Sequence, residues 1–151
     1  MGRKDGELSR LERAYRQWRG MLLRFASVMV GDCVLAEDVV QDAFVRVMRS
    51  GARFDSTKAF KTYLLRSVRS AAVDILRKKT ASQLPTTAAT TPDFVSDLLS
   101  ALPQQQREVV VLRIWGKMTF RDIAETLGVP LGTVLSRMRY AMMRLRRLVS
   151  E

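Results

Sequence analysis

Residues 119–147, TFRDIAETLGVPLGTVLSRMRYAMMRLRR, constrain the fold more than any other stretch, because they read as two helices held at a fixed turn. Thr119 is placed to cap the first helix. Asp122, three residues on, completes a capping box with Asp in place of the usual Glu or Gln. Ile123, Ala124 and Leu127 form one apolar stripe, Gly128 stands where a left-handed residue ends a helix, and Pro130 supplies the fixed φ that restarts the chain. In the second helix Val134, Met138, Ala141, Leu145 and Leu148 recur at steps of three and four. Thr133, Ser136, Arg137, Tyr140, Arg144 and Arg147 fall largely off that stripe and make an outward face of cations and hydroxyls. A short helix, a Gly turn and a longer basic helix form the helix-turn-helix pattern, whose second helix enters the DNA major groove. Two amphipathic helices around a Gly also occur in helical bundles, with arginines merely solvated. The cap, turn, restart and cationic face coinciding in a strongly basic chain favour DNA.

The 151 residues carry 26 Lys and Arg against 15 Asp and Glu, a net charge of +11, which suits a polyanionic partner, nucleic acid before an anionic membrane surface. The absence of histidine removes Ser-His and Cys-His catalysis and every zinc site built on imidazole. No Gly-rich phosphate loop is present, no cofactor or metal is implied, and the composition argues against an enzyme. No apolar run is long enough to span a bilayer and MGRKDGELSR lacks the apolar core of a signal peptide, so the expected location is the cytoplasm. Cys33, the single cysteine, cannot form an internal disulfide and reads as a small buried side chain.

Along the chain, a first helix over about 7–30 carries a core stripe of Leu8, Leu11, Tyr15, Trp18, Leu22, Phe25 and Met29. Gly31 and Asp32 break it, Asp32 or a near neighbour capping the next helix, which runs through Arg49 with Leu35, Val39, Ala43 and Val47 inward, joined by Phe44 and Met48. Its outward side holds Glu37, Asp38, Gln41 and Asp42, an acidic patch in a basic protein. That sign reversal suits a protein partner, or else is ordinary acid near a helix N-terminus. SGARFDST has turn composition, and Ser56 or Thr57 caps a third helix through about Lys79. Its cations, mixed with Phe54, Phe60 and Tyr63, suit phosphate neutralisation plus base stacking on opened nucleic acid, although each aromatic taken singly also reads as core. TASQLPTTAATTP lacks an apolar period and reads as a linker. Beyond it Phe94, Val95, Leu98, Leu99 and Leu102 form a buried side, Pro103 stops that helix, and Val109, Val110, Leu112 and Ile114 mark the next. The expected fold is all-α: two small helical domains, 1–79 and 93–151, joined by a flexible linker at 80–92.

AEDVVQDAFVRVMR, the loop with RFD, FKTYLLRSVRSAAVDILRKK, and the run from LPQQQREVVV through the helix-turn-helix together resemble an extracytoplasmic-function (ECF) sigma factor of the sigma-70 family, over nearly the whole chain and in the family's order. The resemblance implies a transcription initiation factor that binds core RNA polymerase and promoter DNA and answers to an anti-sigma factor. It assigns polymerase docking to Asp38, Gln41, Asp42, Phe44 and Arg46. The melted minus-ten strand falls to Phe54, Asp55, Ser56, Lys58, Phe60, Lys61 and Arg66, and the minus-thirty-five duplex to Thr119, Arg121, Thr133, Ser136, Arg137, Tyr140 and Arg144. The chain departs from the family's pattern at Tyr63, usually Trp; at Ser70, often Asn; at Leu135, commonly Lys; and at Met142 and Met143, often basic. Two other readings remain: a stand-alone helix-turn-helix regulator dimerising through its N-terminal part, and a sigma-like interaction module that no longer initiates transcription.

Overall fold

The computed structural model describes residues 2–82 and 94–150. The segment expected to be a linker lies outside the described residues from 83 onward, while 80–82 continue the preceding helix. Seven helices follow in order among the described residues: α1 (Gly2–Val30), α2 (Cys33–Ser50), α3 (Thr57–Ser82), α4 (Phe94–Ser100), α5 (Gln104–Ile114), α6 (Phe120–Leu127) and α7 (Leu131–Ser150). None is long and apolar enough to cross a membrane.

The first three helices pack mutually around the stripe of α1. Trp18, Leu22, Phe25 and Met29 are buried, joined by Val39, Val40, Ala43 and Val47 of α2 and by Leu64, Leu65, Val68, Ala71 and Ala72 of α3. Each fully buried Leu or Phe contributes about 1.5–3 kcal/mol relative to exposure. Asp32 caps α2, its Oδ1 accepting from the backbone N–H of Val34 at 2.8 Å and of Leu35 at 3.4 Å. Ser56, of the two residues expected to cap α3, does so, its Oγ accepting from the Ala59 N–H at 3.1 Å.

Four side chains sit elsewhere than their spacing indicated. Met48, Phe94 and Ile114 are 50%, 69% and 51% exposed. All three lie at or near helix ends, where the helical period continues but the opposing element no longer covers it. Cys33 is exposed as well, because it occupies the first position of α2, ahead of the apolar stripe.

The C-terminal half packs α5, α6 and α7 around Val109, Leu112, Ile123, Leu127, Val134 and Ala141. Thr119 caps α6, its Oγ1 accepting from the Asp122 N–H at 3.1 Å, while the Asp122 carboxylate accepts from the Thr119 backbone N–H, so the capping box closes in both directions. Gly128 ends α6 at φ 68°, and its N–H reaches the Ala124 carbonyl.

The two halves share an interface. α1 packs on α5, and α3 packs on α6.

Gly128→Ala forces a Cβ into the left-handed region and is expected to lower unfolding free energy by about 1 kcal/mol. Gly20→Ala, mid-helix in α1 with open space around its Cβ position, is expected to raise it by about 0.5–1 kcal/mol. Urea unfolding of the two variants checks the opposite signs; equal shifts would contradict the assigned turn.

Candidate nucleic-acid and polymerase interfaces

The helix-turn-helix presents α7 outward. Ser136, Tyr140 and Arg144 are exposed along it and Thr133 and Arg137 half-buried, while Arg121 is exposed on α6. Thr119 is exposed but spends its hydroxyl on the cap. Arg139, absent from the residues expected to meet DNA, is also exposed, its guanidinium 5.2 Å from the Tyr140 ring centroid. On the same motif Arg113 lies over Phe120 at 4.5 Å and donates to the Met118 carbonyl at 2.8 Å, fixing the entry to α6.

A cleft of about 460 Å³ opens between α1, the end of α2 and the 51–54 loop. Arg10, Met48, Arg53, Phe54 and Phe60 line it. Phe54 is half-buried, stacked in tilted contact with Phe60 at 4.9 Å and Tyr63 at 5.1 Å. Arg10 lies 5.5 Å from the Phe60 centroid and donates to the Phe54 carbonyl at 3.4 Å. Cations and an aromatic edge therefore meet in one concavity, the combination that holds an unstacked base beside its phosphate. Phe60, expected as a strand contact, is 3% exposed and forms part of the cleft's lining. Asp55 and Ser56 are exposed at the loop's end, the Ser56 hydroxyl engaged as the cap.

The cations of α3 point instead to the C-terminal half. Lys58 pairs with Asp122 at 3.0 Å, Lys61 donates to the Gly116 carbonyl, Arg66 donates to the Glu125 carbonyl, and Arg69 pairs with Glu108 at 3.3 Å. From the other side Arg107 donates to the Val28 carbonyl at 3.2 Å, and Arg24 lies over the Trp115 ring at 4.5 Å. Glu108 is 2% exposed and was missed from sequence. The available signal was its place four residues from Leu112 on the apolar side of α5, where a carboxylate requires a cation partner. Burial holds the Lys61 ammonium below its ordinary value, opposed by the charge of Asp122 and reinforced by Lys117.

On α2, Asp38, Gln41 and Asp42 are exposed. Arg46 is exposed beside them and tied to Asp42 at 2.9 Å and Asp74 at 3.0 Å. The Asp74 hydrogen bond is the main influence raising its already high pKa, against partial desolvation. Phe44 is a correction: it is buried, edge-on to Tyr15 at 5.0 Å, because residue 44 shares the core side of α2 with Val40 and Val47.

Two family models match the chain in sequence: Sigma-70 region 2 over residues 14–82 and Sigma-70, region 4 over residues 98–147. The class is thus that of the two-part sigma factors of transcription initiation. The RNA polymerase sigma-E factor of Streptomyces avermitilis is 31% identical across 93% of this chain and 86% of that protein, and the ECF RNA polymerase sigma factor SigL of Mycobacterium tuberculosis is 26% identical across 99% and 94%. Among solved structures, the sigma factor RpoE bound to the anti-sigma factor NepR from Bartonella quintana superposes with a TM-score of 0.78 at 22% identity, covering 92% of this chain and 96% of that one. CnrH bound to the cytosolic domain of CnrY gives 0.72 at 23%, covering 93% and 87%. The chain belongs to the extracytoplasmic-function group of the sigma-70 family, the RNA polymerase sigma factors.

Asp122 joins the cap of α6 to the interface with α3, and its acidity reports on both. Burial pushes its carboxyl up, but hydrogen bonds from Lys58 and Thr119, with the Lys58 charge, outweigh that and hold it below the ordinary 3.8. The unfolded chain therefore binds more protons across this window. The carboxylate's contribution to stability is complete above 3.8 and is lost as pH falls through the depressed folded value. Asp122→Asn is expected to flatten the fall in stability below about pH 5, measured by urea unfolding at each pH. Parallel curves for the two proteins would place the titration elsewhere.

Proposed function

We propose that this sigma factor divides promoter recognition between its halves. The exposed Asp38, Gln41, Asp42 and Arg46 of α2 dock core RNA polymerase. The cleft of Phe54, Arg10 and Arg53, with Asp55 and Ser56 at its rim, holds the melted minus-ten strand. α7, through Ser136, Arg137, Tyr140 and Arg144, with Arg121 and Thr133 beside them, reads the minus-thirty-five duplex. The protein acts by binding rather than by catalysis, in the cytoplasm where polymerase works, and an anti-sigma factor regulates it. Residues 1–79 and 93–151 serve as the two working units and 80–92 as their connection.

The observation that carries this reading is the difference in character between two separate surfaces. α7 is a convex basic helix suited to a groove, whereas the 51–54 cleft is concave, aromatic and cationic, suited to an unstacked base. Lys58, Lys61 and Arg66 are engaged with Asp122, Gly116 and Glu125 in the described arrangement. In this reading the α3 cations reach the strand after α6 leaves them. The contacts they give up are ion pairs and single hydrogen bonds at a partly exposed boundary, which polyanionic DNA replaces in kind.

Run-off transcription with core polymerase on promoters located by genome-wide transcript-start mapping tests the assignment. A chain that neither joins core polymerase nor starts transcription would overturn it. Reversing Asp38 and Asp42 to Lys is expected to weaken core polymerase association at least tenfold while leaving duplex binding intact, measured by native gel and fluorescence anisotropy. Undiminished association would make the acidic patch plain surface. Arg137→Ala is expected to weaken duplex binding and to reduce the slope of log affinity against log salt by about one. An unchanged slope and affinity would place Arg137 away from the phosphates.

A further inference from the structure

Leu135, on the outward side of α7, has no polar atom in its side chain. It stands in the second turn of that helix, is 46% exposed, and lies outside the cluster of core side chains. Val134, the residue before it, is fully buried and fixes the rotation of the helix. Leu135 therefore cannot turn inward without expelling Val134 from the core. Next to it on the helix surface are Ser136 and, one turn on, Arg139, both exposed. The first turn of α7 is bare as well. Gly132 is exposed, and a Cβ at its position would meet nothing within 4 Å, so no contact within the described chain calls for a glycine there. Its missing side chain lets the surface of another molecule come close to the helix three residues before Leu135.

We propose that Leu135 packs on the C5-methyl group of a thymine in the major groove and so selects thymine at one position of the minus-thirty-five duplex. This rests on α7 reading that duplex and adds the base that one of its residues requires. The chemistry of the groove singles out the base. Thymine presents an apolar group there, whereas adenine, guanine and cytosine present only hydrogen-bond donors and acceptors. A leucine against those polar edges strips water from them and supplies no hydrogen bond in return, which disfavours all three. Position along the helix singles out the residue. Recognition helices reach base edges with their N-terminal residues, and Leu135 is near that end of α7. The exposed Met143 and Val149 lie roughly two and four turns further along.

The test uses holoenzyme assembled from the full chain and core polymerase, on promoters located by transcript-start mapping. In synthetic templates each thymine of the minus-thirty-five element is replaced in turn by deoxyuridine, which removes the 5-methyl group and keeps the pairing edge. At one position the replacement is expected to weaken holoenzyme binding about fourfold, the effect of withdrawing one buried methyl group. Competition fluorescence anisotropy reads the ratio. Leu135→Ala is expected to bind the thymine and deoxyuridine templates equally, circular dichroism confirming retained helix. Leu135→Met, apolar and of similar volume, is expected to keep the preference. The proposal is overturned if no thymine in the element is sensitive to loss of its methyl group. It is also overturned if Leu135→Ala keeps the sensitivity, which would put the methyl contact on another residue, or if Leu135→Met loses it. Scrambling the whole element separates the two readings. Undiminished binding to the scrambled template sinks both, whereas weakened binding without a sensitive thymine sinks this one alone.

Discussion

One carboxylate serves both the start of the helix-turn-helix and the boundary between the two halves. Asp122 accepts from the Thr119 backbone N–H to start α6 and pairs with Lys58 to set α6 against α3. It acts beside Arg69 with Glu108, Arg107 with the Val28 carbonyl and Arg24 over Trp115, which hold the same two halves. Because the cap also faces an ammonium on α3, the beginning of the motif is registered against that helix. The neighbouring contacts of Lys61 with Gly116 and of Arg66 with Glu125 then follow along one line.

The material of this boundary matters for what the molecule does. Much of it is cation against backbone carbonyl or carboxylate, with Glu108 the deeply buried ionic member. Direct contacts of this kind are exchangeable in water, but they flank an apolar contact, since α1 packs on α5 and the buried side chains of the two halves form one cluster. Phe25 and Leu64 in one half and Ile123 and Val134 in the other belong to that same cluster. Charges of opposite sign are segregated on the outside, with Asp38 and Asp42 on α2 and the arginines on α7.

Much of the architecture is legible in the sequence because helices obey a local period. Asp32, Ser56 and Thr119 cap where a short polar side chain precedes an apolar repeat, and Gly128 takes the left-handed turn that its place implied. The period is less informative at helix ends. Met48, Phe94 and Ile114 continue an apolar pattern beyond the element that would cover them, and stand exposed. It also misleads where an aromatic side chain suits either a core or a ligand. Phe44 is buried away from the cleft, whereas Phe60, buried, and Phe54, half-buried, both line it, and nothing in their spacing distinguishes the three.

The sequence by itself determined seven helical periods, their principal caps, the turn of the helix-turn-helix and the basic face of α7, because each depends on residues within a few positions of one another. Tertiary structure alone decided that Lys58, Lys61 and Arg66 face α6, that Arg69 meets Glu108, and that Arg10 from the first helix closes the cleft beside Phe54. Periodicity says which side chains share a face. Which two faces meet depends on how several helices jointly bury their stripes, and that is fixed only when the whole chain has packed.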